Sequence, residues 1–295
     1  MAWRSSGVAA WEQRGTYRTL QGFKTFTIDV PASGAETLEP LLVVHGFPSS
    51  SFDFHNVVDV LAGHRRVLLF DMIGYGLSAK PDRAYTIDLQ ADVAQAFVAD
   101  AGVTTLALLT HDVGDTVGGE LLARQTEGRW SVDITRRVLT NGSIYIEMAH
   151  LSAGQELLLS LPDERLPDNA GIDGATMQGS LAATFSPRSH VDASDLAGEW
   201  ELIAHDEGHL LLPRTIRYIE ERRRNQDRFT GAIESHRSPL AIVWGTDDPI
   251  AVAPMATRLH GVRPDARLSW LDDIGHYPML ESPSAFLDAV LPALT

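Results

Sequence analysis

A carboxylate stands where a predicted strand turns into a predicted helix. The segment Thr110-His111-Asp112-Val113-Gly114 directly follows the apolar run Leu106–Leu109 and precedes a helical pattern. A sharp strand-to-helix turn presents its central side chain for nucleophilic attack, and it needs small residues two positions before and two after that side chain. Thr110 and Gly114 meet this requirement. Asp112 is therefore a candidate nucleophile, and the alternative interpretation is an ordinary helix N-cap.

Two further residues with acid–base chemistry follow later predicted strands. Asp248 lies in Trp244-Gly245-Thr246-Asp247-Asp248-Pro249, and His276 lies in Gly275-His276-Tyr277-Pro278. A histidine in a loop suits a general base because its pKa is near neutrality, and a carboxylate can orient it. Open α/β sheets bind their ligands at the carboxyl ends of the strands, where all these segments fall. The interpretation without chemistry is a Gly-Asp-Pro turn and a structural histidine.

The order nucleophile, acid, histidine along the chain is that of the α/β-hydrolase fold. A fourth segment, His45-Gly46-Phe47-Pro48, follows the third predicted strand. This fold places one of its oxyanion-hole amides there. We therefore predict that the backbone N–H groups of Phe47 and Val113 hold a tetrahedral oxyanion. His45, Gly46 and Pro48 complete the motif around the first of these amides.

The chain resembles α/β-hydrolases with an aspartate nucleophile, meaning epoxide hydrolases and haloalkane dehalogenases. Besides the segments above, residues 71–78 (Asp-Met-Ile-Gly-Tyr-Gly-Leu-Ser) carry the resemblance, which covers nearly the whole chain. Within the superfamily the chain resembles the mesoderm-specific transcript proteins in particular. These share the forms Ser-His-Asp-x-Gly-Asp (Thr110 replaces the Ser here), Asn141-Gly142-x-Ile144, Gly245-x-x-Asp248-Pro249 and His276-Tyr277-Pro278. The resemblance implies a triad of Asp112, Asp248 and His276, with no cofactor and no metal.

An aspartate nucleophile restricts the substrate. A carboxylate is ionised at neutral pH without a base. Its attack on an ester would give a reactive anhydride, whereas its attack on a saturated carbon gives a stable ester that water then hydrolyses. The expected substrate therefore has an electrophilic sp3 carbon, as in an epoxide or an alkyl halide. His276, oriented by Asp248, would activate the water that attacks the Asp112 ester.

The leaving group distinguishes an epoxide from a halide. An opened epoxide is an alkoxide that needs a proton, and similar epoxide hydrolases supply it from two cap tyrosines or from a tyrosine and a histidine. Tyr218 matches the later cap tyrosine in position, and Tyr145 is the candidate for its partner. A halide needs N–H donors, which the side chains of Phe47 and Val113 do not offer. We expect an epoxide hydrolase that gives a vicinal diol. A haloalkane or haloacid dehalogenase and a non-catalytic protein that binds a small apolar ligand are the alternatives.

Short apolar runs that alternate with helical patterns predict a mostly parallel, eight-stranded sheet flanked by helices. The predicted strands are Thr16–Leu20, Phe23–Val30, Leu41–His45, Val67–Asp71, Leu106–His111, Arg137–Asn141, Leu240–Gly245 and Leu268–Leu271. The first two are expected to form an antiparallel hairpin at the sheet edge. The alternation stops between about Ile144 and Arg237. We therefore predict an α/β-hydrolase core at residues 1–143 and 238–295, with a helical cap at residues 144–237 inserted after the sixth strand.

The amino-acid composition limits the kinds of chemistry and of binding partner that we expect for this protein. The 295 residues include no cysteine, which excludes disulfides, thiol catalysis and thiolate-bound metals. The net charge of −15 argues against nucleic acid and anionic membranes as partners. No apolar run is long enough to span a membrane, and we expect a cytoplasmic protein with a small apolar substrate. A homodimer is left open. We interpret the run Arg222-Arg223-Arg224, beside two glutamates, as an exposed and salt-bridged helix face.

Overall fold

Eight strands form one sheet in the computed structural model, which describes residues 5–295. Residues 1–4 of the predicted core lie outside this range. The strands are β1 (Thr16–Leu20), β2 (Phe23–Val30), β3 (Leu41–Val44), β4 (Val67–Phe70), β5 (Thr105–His111), β6 (Asp133–Thr140), β7 (Leu240–Gly245) and β8 (Arg267–Leu271). Their order across the sheet is β1-β2-β4-β3-β5-β6-β7-β8. The β1–β2 hairpin and the β2–β4 pair are antiparallel, and the other neighbours are parallel. The predicted fold class, a mostly parallel eight-stranded sheet, is confirmed.

The central strands are buried on both faces. Every residue of β3, β4 and β7 is buried, which is why their sequences read as continuous apolar runs without alternation. The edge strand β1 is half exposed and carries polar residues. A parallel sheet needs helices over both faces, and the chain supplies them between successive strands.

Helices flank the sheet and fill the long segment between β6 and β7. They are α1 (Ser6–Arg14), α2 (Val58–Leu61), α3 (Ile87–Asp100), α4 (Val113–Thr126), α5 (Ala153–Ser160), α6 (Gly174–Ala182), α7 (Ala193–Ala204), α8 (Leu212–Thr215), α9 (Tyr218–Arg224), α10 (Gln226–Ser235), α11 (Ala253–Val262), α12 (Pro278–Glu281) and α13 (Pro283–Val290). Short 3-10 turns cover Ser51–Phe54, Ile146–Met148, His205–Leu211 and Leu291–Ala293. Within residues 5–295, no helix is long and apolar enough to cross a membrane.

Helix α4 begins at Val113, four residues before the start at Val117 that its apolar pattern indicates. The first turn contains Asp115, Thr116 and Gly118, whose polar or absent side chains hide the helical period. These residues are nonetheless buried, because the first turn of α4 lies against the ends of the central strands. The helix therefore starts at the residue that follows Asp112.

The insertion (residues 144–237) contains α5 to α10, and its first three helices begin with side-chain caps. Ser152 and Gln155 form a capping box on α5, and Asp173 and Asp192 cap α6 and α7. Its last helix, α10, packs along α4 on the flank of the sheet, where Arg228 donates to Glu120 with an Nε–Oε2 distance of 2.6 Å. The part of the insertion that stands over the strand ends is therefore α5 to α9.

Candidate active site

Asp112 occupies the tight turn between β5 and α4. Its backbone has φ 51° and ψ −114°, a conformation that costs a residue with a side chain about 1–3 kcal/mol. Gly114 allows the close approach that the turn requires, because a Cβ atom there would lie 2.3 Å from the carbonyl oxygen of Val44. The Asp112 side chain is 2% exposed. Val113 is the first residue of α4, so its N–H has no partner inside the helix.

The loop after β3 supplies a backbone donor to Asp112. The N–H of Phe47 donates to Oδ2 of Asp112 at 2.9 Å. His45 fixes this loop, since its Nε2 accepts the N–H of Met72 at 3.0 Å and its Nδ1 lies 2.8 Å from the carbonyl oxygen of Gly46. Burial lowers the pKa of His45, which keeps the ring neutral for both contacts. One carboxylate oxygen of Asp112 is thereby held in a fixed direction.

Asp248 and His276 form a buried pair. Nδ1 of His276 lies 2.7 Å from Oδ2 of Asp248, and this oxygen also accepts the side-chain N–H of Asn141 at 2.8 Å. Oδ1 of Asp248 accepts the backbone N–H groups of Ile250 and Ala251 at 2.8 and 2.9 Å. Four donors therefore surround the carboxylate, and they fix both its orientation and that of the imidazole.

The charges around His276 favour its protonated form. Burial lowers the pKa of His276, but the charge and hydrogen bond of Asp248, followed by the charges of Asp112 and Glu281, outweigh it and raise the pKa to about 9. The neighbouring His111 ring lies 5.0 Å away between centroids. Burial and the charge of His276 lower the pKa of His111 to about 3, so that ring is neutral. At neutral pH the site therefore holds a charged imidazolium within the electrostatic reach of the Asp112 carboxylate.

A narrow cavity opens on His276 between the core and the insertion. Its volume is about 80 Å³, small beside the roughly 300–1,000 Å³ of ordinary ligand pockets. The core side is formed by Phe47, Pro48, Ile250, His276 and Tyr277, and the insertion side by Ser152, Gly154, Gln155, Leu158, Met177, Ser180, Leu181, Thr184 and Leu212. Asp112 is buried beside this cavity, behind the Phe47 amide that it binds.

The cavity wall is mostly apolar, and its polar side chains are largely engaged with the protein itself. Ser152 and Gln155 bond to each other's backbone N–H groups, and the Thr184 hydroxyl donates to the carbonyl oxygen of Leu181 at 2.7 Å. The wall contains no lysine or arginine. The ionisable side chains on it are His276 and Tyr277, and burial raises the pKa of the Tyr277 hydroxyl well above its usual range.

Tyr218 lies close to Asp112. It is 4% exposed, and its ring lies 5.6 Å from the ring of Phe47 between centroids. Burial raises the pKa of the Tyr218 hydroxyl well above its usual range, the charge of Asp112 raises it further, and the charge of Arg222 opposes both. Tyr75, which lies in the resemblance motif at residues 71–78, is a second phenol here that the sequence analysis did not select. Burial and then the charge of Asp112 raise its pKa, and its hydroxyl is 3.3 Å from the carbonyl oxygen of Thr215.

The structure does not bring Tyr145, the candidate for the second proton donor, to the cavity at His276. Its hydroxyl donates to Oε1 of Glu234 at 2.7 Å, and the guanidinium carbon of Arg258 lies 3.8 Å from its ring centroid. These residues line a separate surface depression that shares no residue with the cavity at His276. Tyr145 follows the end of β6 on the side that faces α10, and its hydroxyl is already hydrogen-bonded there to Glu234.

The interpretation of Arg222 as part of an exposed helix face is wrong. Arg222 is 1% exposed and reaches the turn at Asp112. It donates from Nε to the Thr116 hydroxyl at 2.7 Å, from Nη1 to the carbonyl oxygen of Ser143 at 2.8 Å and from Nη2 to the carbonyl oxygen of Asp112 at 3.4 Å. Its neighbour Arg223 is exposed. The sequence contained one indication of this position. Arg222 follows Tyr218 by four residues, which puts both side chains on one face of α9.

A pair of buried carboxyl groups joins the insertion to the core near this site. Asp53, in the turn Ser51–Phe54, is 0% exposed and Glu199, on α7, is 2% exposed. Oδ2 of Asp53 accepts the hydroxyl of Ser49 at 2.7 Å. Burial raises the pKa of Asp53 to about 8 and that of Glu199 well above its usual range. Neither residue stands out in the sequence, because the burial of both carboxyl groups depends on the docking of α7.

Comparisons with known proteins identify the family and the fold. A family model described as "Alpha/beta hydrolase family" matches residues 41–289. The chain belongs to the α/β hydrolase family. This α/β hydrolase is 35% identical to "Putative hydrolase LipZ" of Mycobacterium tuberculosis over 98% of this chain and 99% of the relative. It is 32% identical to the mesoderm-specific transcript homolog protein of Bos taurus over 97% of this chain and 88% of that protein. The solved structure of the epoxide hydrolase CorEH aligns with a TM-score of 0.69 over 95% of this chain and 97% of that chain, and its 15% identity shows a shared fold only.

Proposed function

We propose that this α/β hydrolase opens a bond at an electrophilic sp3 carbon through a covalent ester of Asp112, and that its substrate class is an epoxide converted to a vicinal diol. One observation carries the proposal. The side chain at the nucleophile turn is a carboxylate, with Oδ2 held by the Phe47 amide and with the His276–Asp248 pair in the same buried site. A carboxylate needs no base for its own activation, so a protonated His276 is compatible with the first step.

The first half-reaction forms the ester. The free Oδ1 of Asp112 attacks a ring carbon, the C–O bond of the epoxide breaks, and the electron pair goes to the ring oxygen. The alkoxide takes one proton from the protein, and we assign its donor to His276 or the Tyr218 hydroxyl, two acids whose pKa values the charge of Asp112 raises. The former carboxylate oxygen Oδ2 becomes the ester carbonyl oxygen and keeps the Phe47 hydrogen bond.

The second half-reaction hydrolyses the ester. Neutral His276 accepts a proton from water, and the water oxygen attacks the ester carbon. The Phe47 and Val113 amides hold the oxyanion of the tetrahedral intermediate. Collapse breaks the bond to the substrate oxygen, which takes the proton from His276 and leaves as the diol. The new carboxylic acid of Asp112 then returns its proton to His276, and the site regains its resting charges.

The cavity favours a neutral, apolar substrate. Its wall holds no lysine or arginine that would pair with a substrate carboxylate, which speaks against a haloacid. The side chains of Phe47 and Val113 carry no N–H for a halide, which speaks against a haloalkane. The small volume of about 80 Å³ favours a compact substrate, or a shift of the insertion before a larger one enters.

Isotope labelling tests the covalent step. Turnover of aryl and terpene epoxides in water enriched in oxygen-18 should place the heavy oxygen in the Asp112 carboxylate, because water cleaves the ester at its carbonyl carbon. Tandem mass spectrometry of the peptide also reports Asp115, a buried carboxyl three residues later, as an internal control that should stay unlabelled. Under single-turnover conditions the diol should contain no oxygen from the solvent. Turnover without label at Asp112 would refute the ester.

A substrate panel separates the epoxide from the alternatives. Aryl and terpene epoxides, haloalkanes and haloacids are incubated with the wild type and with Asp112→Asn, and diol or halide is measured. Diol formed by the wild type and lost in Asp112→Asn supports the proposal. Halide release would assign a dehalogenase. Binding of the apolar compounds by both proteins with no turnover by either would assign the non-catalytic alternative.

A further inference from the structure

Arg222 connects the insertion to the nucleophile turn. Its guanidinium spans the Thr116 hydroxyl in the first turn of α4, the carbonyl oxygen of Ser143 after β6 and the carbonyl oxygen of Asp112. The Asp112 carbonyl also accepts the N–H of Asp115 at 3.0 Å, the first hydrogen bond of the turn. One side chain from α9 therefore ties the Asp112 carbonyl to the first turn of α4 and to the loop after β6.

The positive charge of Arg222 lies near two groups of the proposed reaction, Asp112 and Tyr218. Its hydrogen-bond acceptors are all neutral oxygens, so these contacts leave the positive charge uncompensated. The guanidinium carbon lies 5.1 Å from the centroid of the Tyr218 ring. A cation over a phenol ring stabilises the negative charge that develops when the hydroxyl gives up its proton. The same cation lies beside the turn at which the Asp112 carboxylate and, later, the ester oxyanion carry negative charge.

We propose that Arg222 is a positioning residue for the reaction: it holds the Asp112 turn in its reactive conformation from the insertion and places a buried positive charge beside Asp112 and Tyr218. The inference rests on the proposed function, because it assigns Arg222 a part in the same Asp112 chemistry. Arg222 does not line the cavity at His276, so it acts on the chemical steps and not on the binding of the apolar substrate.

The variants separate charge, hydrogen bonding and burial. Arg222→Met removes the charge and the donors at similar length, and Arg222→Lys keeps the charge but offers fewer donors. Arg137→Met is the matched control. Arg137 is 0% exposed, and its guanidinium also ties backbone carbonyl oxygens of a neighbouring element, those of Ile233 and His236, at 2.7 and 3.0 Å. Both methionine variants lose a buried arginine, and Arg222 alone touches Asp112.

Steady-state kinetics provide the first readout, with the epoxide on which the wild type is active. We expect kcat of Arg222→Met to fall by about 10- to 100-fold with KM within about twofold of the wild type, since a charged hydrogen-bonding group contributes to the transition state on this scale. Arg222→Lys should recover part of kcat. Arg137→Met should keep kcat within about threefold. Equal kcat in the two methionine variants, or a loss confined to KM, would overturn the proposal.

Native-state hydrogen exchange gives a readout that does not need a substrate. Loss of the Arg222 contacts should increase the exchange of the backbone amides at residues 113–118, where α4 begins. Arg137→Met should leave these amides as in the wild type. If no epoxide is turned over and Asp112 takes no label, the proposed function fails. The hydrogen exchange of residues 113–118 still tests whether Arg222 positions the turn at Asp112. Unchanged exchange at residues 113–118 in Arg222→Met would refute the positioning of the turn by Arg222.

Discussion

Replacement of Asp248 by asparagine should reverse the protonation of His276. The charge and hydrogen bond of Asp248 are the largest contributions that raise the His276 pKa to about 9 from an ordinary value of 6.5. That difference corresponds to about 3 kcal/mol in favour of the imidazolium. Without the charge of Asp248, only the charges of Asp112 and Glu281 oppose burial, so we expect the pKa of His276 to fall in Asp248→Asn. The asparagine amide keeps an oxygen for the Ile250 and Ala251 amides, but it turns a second donor toward His276 Nδ1.

Two measurements check this expectation. Histidine ring resonances recorded against pH should show one group that titrates near 9 in the wild type, is absent from His276→Gln and is shifted downward in Asp248→Asn. Hydrolysis of the ester should slow by about 10³- to 10⁴-fold, because the new donor selects the imidazole tautomer that cannot accept a proton from water. Asp112 should therefore accumulate as its ester. A His276 pKa that stays near 9 in Asp248→Asn would refute the assignment of Asp248 as its source.

The remaining predictions concern the insertion contact and the nucleophile turn. Asp53 and Glu199 are protonated in the folded protein at pH values where the unfolded chain has lost these protons, so their contribution to stability is present below about pH 4 and falls as pH rises toward about 8. The melting temperature of the wild type should therefore fall between pH 5 and pH 8, and that of Glu199→Gln should fall less. Calorimetry measures both changes. An equal fall in the two proteins would contradict the buried acid pair. Gly114→Ala should abolish turnover and destabilise the protein by several kcal/mol, roughly the scale of core overpacking, whereas Gly231→Ala, where a Cβ meets nothing within 4 Å, should leave activity unchanged.

The strands could be predicted from the sequence because burial on both faces leaves an unmistakable apolar run. Phe23–Val30 and Leu240–Gly245 match the observed β2 and β7 at both ends. The candidate site residues could be chosen for a related reason, since a parallel sheet collects the carboxyl ends of its strands at one edge. Asp112, Asp248 and His276 each follow such an end. The proximity of these three residues depends on the topology of the sheet and hardly at all on how the surrounding side chains pack.

The insertion was harder to predict because its side chains are oriented by packing against the core. Successive residues of a helix point about 100° apart, so only one member of the run Arg222-Arg223-Arg224 can face the core, and composition does not say which one. Tyr145 posed the same difficulty, since its direction depends on where α10 packs. Asn141 was visible as part of a shared motif, but its hydrogen bond to Asp248 requires β6 and β7 to be neighbours.

In the proposed mechanism, the charge on His276 links the two half-reactions. At rest the site contains the imidazolium and the Asp112 carboxylate, and this carboxylate is one of the charges that raise the His276 pKa. Formation of the ester removes that negative charge, so the pKa of His276 falls at the moment when its neutral form is needed as a base. The alkoxide takes one proton from the site. The site therefore passes from an ion pair of imidazolium and carboxylate to a neutral pair of imidazole and ester, and back, without a net exchange of charge with the solvent.

Opposite pH dependences should reveal this link. We expect the rate of ester formation to fall as pH rises through about 9, where His276 loses its proton, and the rate of ester hydrolysis to rise with pH through a lower value. Rapid quenching and mass spectrometry of the Asp112 peptide from about pH 6 to about pH 10 measure both rates. Ester formation that stays constant to about pH 10 would show that the proton of His276 is not used in ring opening. The Tyr218 hydroxyl would then be left as the donor, because its raised pKa keeps it protonated throughout this range.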